Sequence, residues 1–151
     1  MIIYIGADHR GFQLKGKLVE MLKDGGYEMM DVGAAALDAN DDFPRYAAAV
    51  AQKVSLAPDQ ARGIMICGSG FGMDIVANKF KNVRSALAMS PDHIYQGRHD
   101  DNVNILALAA NFVDEDAAAK IVKVFLSTPF AVDERYARRV GEISEIESHQ
   151  Q

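Results

Sequence analysis

Short, mainly apolar stretches alternate along the chain with longer segments of mixed polarity. The short ones are Ile2–Ile5, Tyr27–Val32, Gly63–Ile66, Val83–Ala88 and Asn104–Leu108. Their length and their glycine or polar flanks predict five strands. In the longer segments apolar residues recur every three or four positions. Leu14, Leu18, Met21 and Leu22 define a helix that begins near Phe12 and stops at Gly25-Gly26. A second helix is expected from Phe43-Pro44 to about Val54, with Pro44 suited to the first turn. Further helices are expected over Asp74–Lys79 and Pro91–Arg98. Asp114, Glu115 and Asp116 suit the dipole of a helix running to Leu126, which Thr128-Pro129 breaks. Asp133 is the expected cap of the last helix, whose Tyr136, Val140, Ile143 and Ile146 form an apolar stripe.

This alternation predicts an α/β fold with a parallel sheet. Ligands of such folds bind beyond the carboxyl ends of the strands. Asp8-His9, Cys67–Gly72 and the loop after the fourth strand should therefore share one edge. A length of 151 residues fits one domain spanning 1–151. The net charge of -5 argues against a nucleic-acid surface, so an anionic ligand needs a local cluster of donors. No apolar run approaches the ~18 residues of a membrane span, and the N-terminus lacks the pattern of a secretory leader. A single cysteine permits no internal disulfide and suits a reducing compartment, so a soluble cytoplasmic protein is expected.

The densest chemistry lies in Ile64-Met65-Ile66-Cys67-Gly68-Ser69-Gly70-Phe71-Gly72-Met73. A buried strand runs into the only cysteine and then into three glycines, where converging N–H groups favour a phosphate, a carboxylate or a developing oxyanion. A lone cysteine is commonly a small buried hydrophobe. Here the strand end and the local N–H dipoles favour a thiolate able to act as a general base. The glycines do not complete a dinucleotide fingerprint, and no Walker lysine follows them. Asp8-His9 reads either as a helix cap with an exposed histidine or as a polar pair addressing a sugar hydroxyl or phosphate. Arg135 and Arg139, at i and i+4, form either a solvated basic face or a grip for one phosphate. His99-Asp100-Asp101-Asn102 is a polar knot before the fifth strand, readable as an ordinary turn, while His93 and His149 read as surface residues. The histidines and acids show no zinc-type spacing, so no metal is expected.

With these residues placed, the chain resembles the ribose-5-phosphate isomerase B and galactose-6-phosphate isomerase family. The marks are Gly6-Ala7-Asp8-His9-Arg10-Gly11-Phe12, Asp42-Phe43-Pro44-Arg45-Tyr46-Ala47, Cys67–Met73, Ala77-Asn78-Lys79, Ser127-Thr128-Pro129-Phe130 and Arg135-Tyr136-Ala137-Arg138-Arg139-Val140. The resemblance implies a Rossmann-like three-layer αβα sandwich with a five-stranded parallel sheet. It implies a homodimer or homotetramer with shared active sites, and cofactor-free aldose–ketose isomerisation of a sugar phosphate through an enediol(ate). By position, Cys67 would be the base, Ser69 a proton shuttle, and the amides of Gly68, Gly70, Phe71 and Gly72 the enediolate site. Asp8 and His9 would hold the sugar, with Asp101 alongside, and Arg135 and Arg139 would hold the phosphate. Two positions depart from the family pattern. The ring-opening histidine aligns with Asp100, one residue after His99, so either His99 or Asp100 takes that role. Asn111 stands where relatives often carry a phosphate-binding arginine. Ribose 5-phosphate is the default substrate. The same chemistry on another sugar, or a non-catalytic sugar-phosphate-binding protein, is the alternative.

Overall fold

All five strands and six helices form, as β1 (Ile2–Ala7), α1 (Phe12–Asp24), β2 (Met29–Asp31), α2 (Phe43–Leu56), β3 (Ala61–Cys67), α3 (Phe71–Ala77), β4 (Ser85–Leu87), α4 (Pro91–Asp101), β5 (Ile105–Ala109), α5 (Glu115–Ser127) and α6 (Glu134–Ser148). They belong to a computed structural model that describes residues 1–149. The strands make one parallel sheet in the order β2-β1-β3-β5-β4. Because successive side chains of a strand point to opposite faces, β3 feeds two cores at once. Ile64 and Ile66 pack with Leu18, Leu22, Ile121 and Phe125 beneath α1 and α5. Met65 and Cys67 pack with Ala47, Val50, Met73 and Ala77 beneath α2 and α3. The result is the expected Rossmann-like three-layer αβα sandwich, with Cys67 ending a central strand on the α2–α3 side.

The differences from the sequence expectation lie at element ends. β2 is shorter than Tyr27–Val32 because the Tyr27 N–H closes the end of α1 on Leu22 O instead of joining the ladder. β4 is shorter than Val83–Ala88 because Arg84 N–H donates to the side-chain oxygen of Asn104. α3 starts at Phe71 rather than Asp74, since Gly70 caps it in a left-handed conformation at φ 78°. α4 runs on past Arg98 to Asp101, where Asn102 ends it at φ 51°. His99, Asp100 and Asp101 are thus the last helical turn, not the loop or turn that their polarity suggested. His93 and His149 lie at the surface as expected.

Arg98 secures that turn. It is 3% exposed and donates to Thr128 O, Asn102 Oδ1 and Val103 O. Burial, followed by the charges of Arg62 and Arg84, lowers its guanidinium to about 10, so it stays charged at neutral pH. Replacing it by methionine should cost roughly 2–4 kcal/mol, because three acceptors lose their donor. A thermal melt checks this, and an unchanged melting temperature would contradict it.

α6 carries the anticipated stripe, but none of its side chains is buried, and Ile143 and Ile146 stay 46% and 61% exposed. Among the described residues, no helix is long and apolar enough to cross a membrane.

Candidate active site

β1 and β3 are neighbours, with Ala7 beside Ile66, so the loops that follow them meet where the strand order reverses. Gly11 permits the close fit. Any Cβ there would strike the Ile66 carbonyl, so only glycine lets the start of α1 rest on the end of β3. The two loops enclose a cavity of about 220 Å³ lined by Asp8, His9, Cys67, Gly68, Ser69 and Gly72, together with Arg10, Asp41 and Phe43. A larger cavity of about 420 Å³ lies near Arg84, Asp101, Ile143 and Ile146. It has neither a thiol nor a glycine loop, and its hydroxyl, Ser85 Oγ, is engaged with Asp74 Oδ1 at 2.6 Å, so the chemistry favours the smaller one.

The Gly70 N–H donates to Cys67 Sγ at 3.2 Å, and the Cys67 side chain packs against core residues while also bordering the cavity. Gly70 holds its positive φ against Leu87, and Phe71 follows as the first helical residue, 62% exposed. The first amides of such a helix have no carbonyl partner within it, so the loop presents N–H donors beside a thiol. Asp8 is not the helix cap, which falls on Gly11. Its carboxylate accepts the N–H groups of Arg10 and Gly11, both at 3.0 Å, and thereby shapes the turn.

His9 is held by a residue that no local pattern singles out. Its Nδ1 lies 2.6 Å from Asp41 Oδ1, which also accepts the His9 backbone N–H at 3.0 Å. The Asp41 side chain is fully buried and its Oδ2 has no partner among the described residues. Burial alone would raise the Asp41 carboxyl, but the two hydrogen bonds from His9, with smaller contributions from Tyr46 and the His9 charge, outweigh this and hold it below the ordinary value near 3.8. On acidification the unfolded chain therefore takes up the proton first. The stabilisation is complete above that ordinary value and fades as pH falls through the lower folded one. Asp41→Asn should be less stable than the parent at neutral pH, with the gap closing below about pH 4. Paired thermal melts from about pH 6 downward test this. A gap independent of pH would mean that His9 does not hold the Asp41 carboxylate in its charged form.

The remaining candidates gather elsewhere. α4 runs back against the strands, so its last turn sits beside Val103 at the start of β5. Cys67 lies at the opposite end of the sheet, and β3 alone covers about 20 Å. There the His99 ring stacks on Tyr95 with centroids 5.4 Å apart and meets the edge of Tyr136 at 5.6 Å. His99 Nδ1 lies 2.6 Å from Asp100 Oδ1. A carboxylate at Asp100 accepts from the ring, which leaves Nε2 facing away from this contact. Asp101 is exposed, Arg135 bonds to Asp133 at 3.3 Å beside the Tyr136 ring, and Arg139 is exposed on the following turn. A single chain thus carries two groups of candidates, the Cys67 cavity and a His99–Arg139 cluster, and does not bring them together.

Sequence reading missed Arg10, Asp41 and Phe43. Arg10 stood in view beside His9. The Asp41 contact spans 32 positions, and Phe43 enters only because its ring packs where a Cβ on Gly72 would lie.

A family model described as Ribose/Galactose Isomerase matches residues 3–143. The probable ribose-5-phosphate isomerase B of Mycoplasma genitalium is 40% identical over 96% of this chain and 95% of its own length. The ribose-5-phosphate isomerase B of Mycobacterium tuberculosis is 36% identical over 97% of this chain and 90% of its own. Among solved structures, the Mycoplasma genitalium ribose-5-phosphate isomerase B with bound ribulose-5-phosphate superimposes with a TM-score of 0.95. It is 39% identical, with 99% of this chain and 97% of that one covered. The Clostridium thermocellum ribose-5-phosphate isomerase B gives a TM-score of 0.94 at 38% identity, with both chains fully covered.

Proposed function

The chain belongs to the ribose/galactose isomerase family, and from that premise we propose that residues 1–151 form a single sugar-phosphate isomerase domain interconverting ribose 5-phosphate and ribulose 5-phosphate. The observation that carries this is the Cys67 thiol beside the loop amides, in a cavity shared with Asp8 and His9. Isomerisation requires a base at the carbon next to the carbonyl and donors for the oxygen that gains charge. Cys67 removes the proton and returns it to the neighbouring carbon, and the amides of Gly68, Gly70, Phe71 and Gly72 stabilise the enediolate. Ser69 moves protons between the adjacent oxygens, while His9, steadied by Asp41, and the remaining oxygen of Asp8 hold the sugar.

The distant cluster completes the site from a second copy of the chain. The exposed apolar stripe of α6 and the exposed Phe71 and Ile75 near the cavity supply surface for such a homodimer, which can pair further into a tetramer. His99 of the second copy opens the furanose ring through Nε2, Asp100 orients it, Asp101 borders the sugar, and Arg135 and Arg139 bind the phosphate. A working thiol fits the reducing cytoplasm, to which we assign the protein.

Proton NMR of ribose 5-phosphate with the protein in heavy water tests the reaction. Conversion to ribulose 5-phosphate with deuterium at the carbon beside the carbonyl is the expected result. No conversion and no exchange would sink the assignment of this substrate.

A further inference from the structure

A permanent cation lines the cavity, and among the described residues its side chain has no hydrogen-bond partner. Arg10 follows His9 in the loop after β1, and its side chain occupies space that only a glycine at position 68 leaves open. A Cβ on Gly68 would come within 2.5 Å of Arg10 Nε and 2.6 Å of its Cζ. Among the described residues, the one hydrogen bond that Arg10 donates is from its backbone N–H to Asp8. Both carboxylates of the cavity are engaged, Asp8 by the loop amides and Asp41 by His9. Its other lining groups, Phe43, Cys67, Gly68, Ser69 and Gly72, include no fixed cation. On the far side of Gly68, exposed Asn111 donates its N–H to Gly68 O and brings only a neutral amide. Among the described residues, the guanidinium is therefore the sole permanent positive charge that the chain itself places in its Cys67 cavity.

We propose that Arg10, from the same protomer as Cys67, binds the phosphate of the substrate and sets the preference for a phosphorylated over a free sugar. This rests on the isomerase reading for its substrate but not for its anion site. Two parallel guanidinium donors match two phosphate oxygens, a fit that a lysine does not reproduce. Removing one charge-assisted hydrogen bond of this kind weakens binding by roughly ten- to a hundredfold.

The test measures inorganic phosphate binding to the full-length protein by calorimetry, alongside kinetics with ribose 5-phosphate and with free ribose. Arg10→Ala should weaken phosphate binding and raise KM for ribose 5-phosphate by that factor, with kcat nearly unchanged. It should leave kcat/KM for free ribose where it was, and Arg10→Lys should fall between. Adding Asn111→Arg to Arg10→Ala should recover phosphate affinity, because the new charge lies across Gly68 from the lost one. A parent protein that binds no phosphate, or an Arg10→Ala variant that binds it equally well, overturns the proposal. Absence of ribose 5-phosphate turnover in the parent would instead count against the isomerase reading, and phosphate titration would still decide the role of Arg10.

Discussion

Cys67→Ala is expected to lower kcat for ribose 5-phosphate by about 10²–10⁴-fold, the range a positioned general base contributes. The proton on a sugar carbon is weakly acidic, so the step depends on a base placed beside it and on charge stabilisation of the enediolate. Alanine removes the base and leaves the Gly68–Gly72 backbone in place. The side chain is small and 5% exposed, so the substitution should cost only about 1 kcal/mol of stability. A near-parental melting temperature together with lost turnover therefore separates chemistry from folding. Deuterium exchange at the substrate carbon must vanish in step with turnover. Exchange that persists without turnover would move the fault to a later step, and full activity would mean that another group is the base. Alkylation gives an independent reading: ribose 5-phosphate should protect Cys67 from iodoacetamide. Met73 is no substitute base, since it is an apolar side chain fully buried in the core beneath α2 and α3.

Much of this was legible in the chain because its signals are local. The apolar run before Cys67 and the helical spacing after Phe12 predict the elements that form, and a parallel sheet follows from their alternation. The edge strands were read too long for two reasons: β4 is trimmed by a partner far away in sequence, Asn104 for Arg84, and the start of β2 is taken up by the closing turn of α1, where Tyr27 bonds to Leu22. The helical state of His99–Asp101 escaped because polar residues are read as loop, while the left-handed Asn102 and the buried Arg98 let α4 continue to that point. The Cys67 cavity was anticipated through Asp8, His9 and the glycine loop, but Asp41 was not, since its contact with His9 is purely tertiary. A sequence also lists residues without saying which copy of a chain uses them. That Cys67 and Arg135 lie at different ends of one protomer emerges only from the direction of α4 and the placement of α6.

This separation makes the second large effect a test of assembly. Two inactive variants, Cys67→Ala and the double variant His99→Ala/Arg139→Ala, should regain activity when their subunits are exchanged. In a dimer with shared sites, each site takes Cys67 from one copy and the His99–Arg139 cluster from the other. A mixed dimer then has one site with both defects and one with neither. Equal mixing makes half of the dimers mixed, each with one working site of two, so about a quarter of parental activity should return. Complete sites within single protomers would yield no gain, because each mixed dimer would contain two defective sites. Subunit exchange must be checked separately, for instance with a mass-tagged copy of one variant, so that failure to mix is not read as failure to complement. If exchange is demonstrated and activity stays absent, the cluster on α4 and α6 does not serve the Cys67 site. Recovery near a quarter would explain why His99 can hold its ring between Tyr95 and Tyr136, far from the cavity of its own protomer, and still act on the sugar.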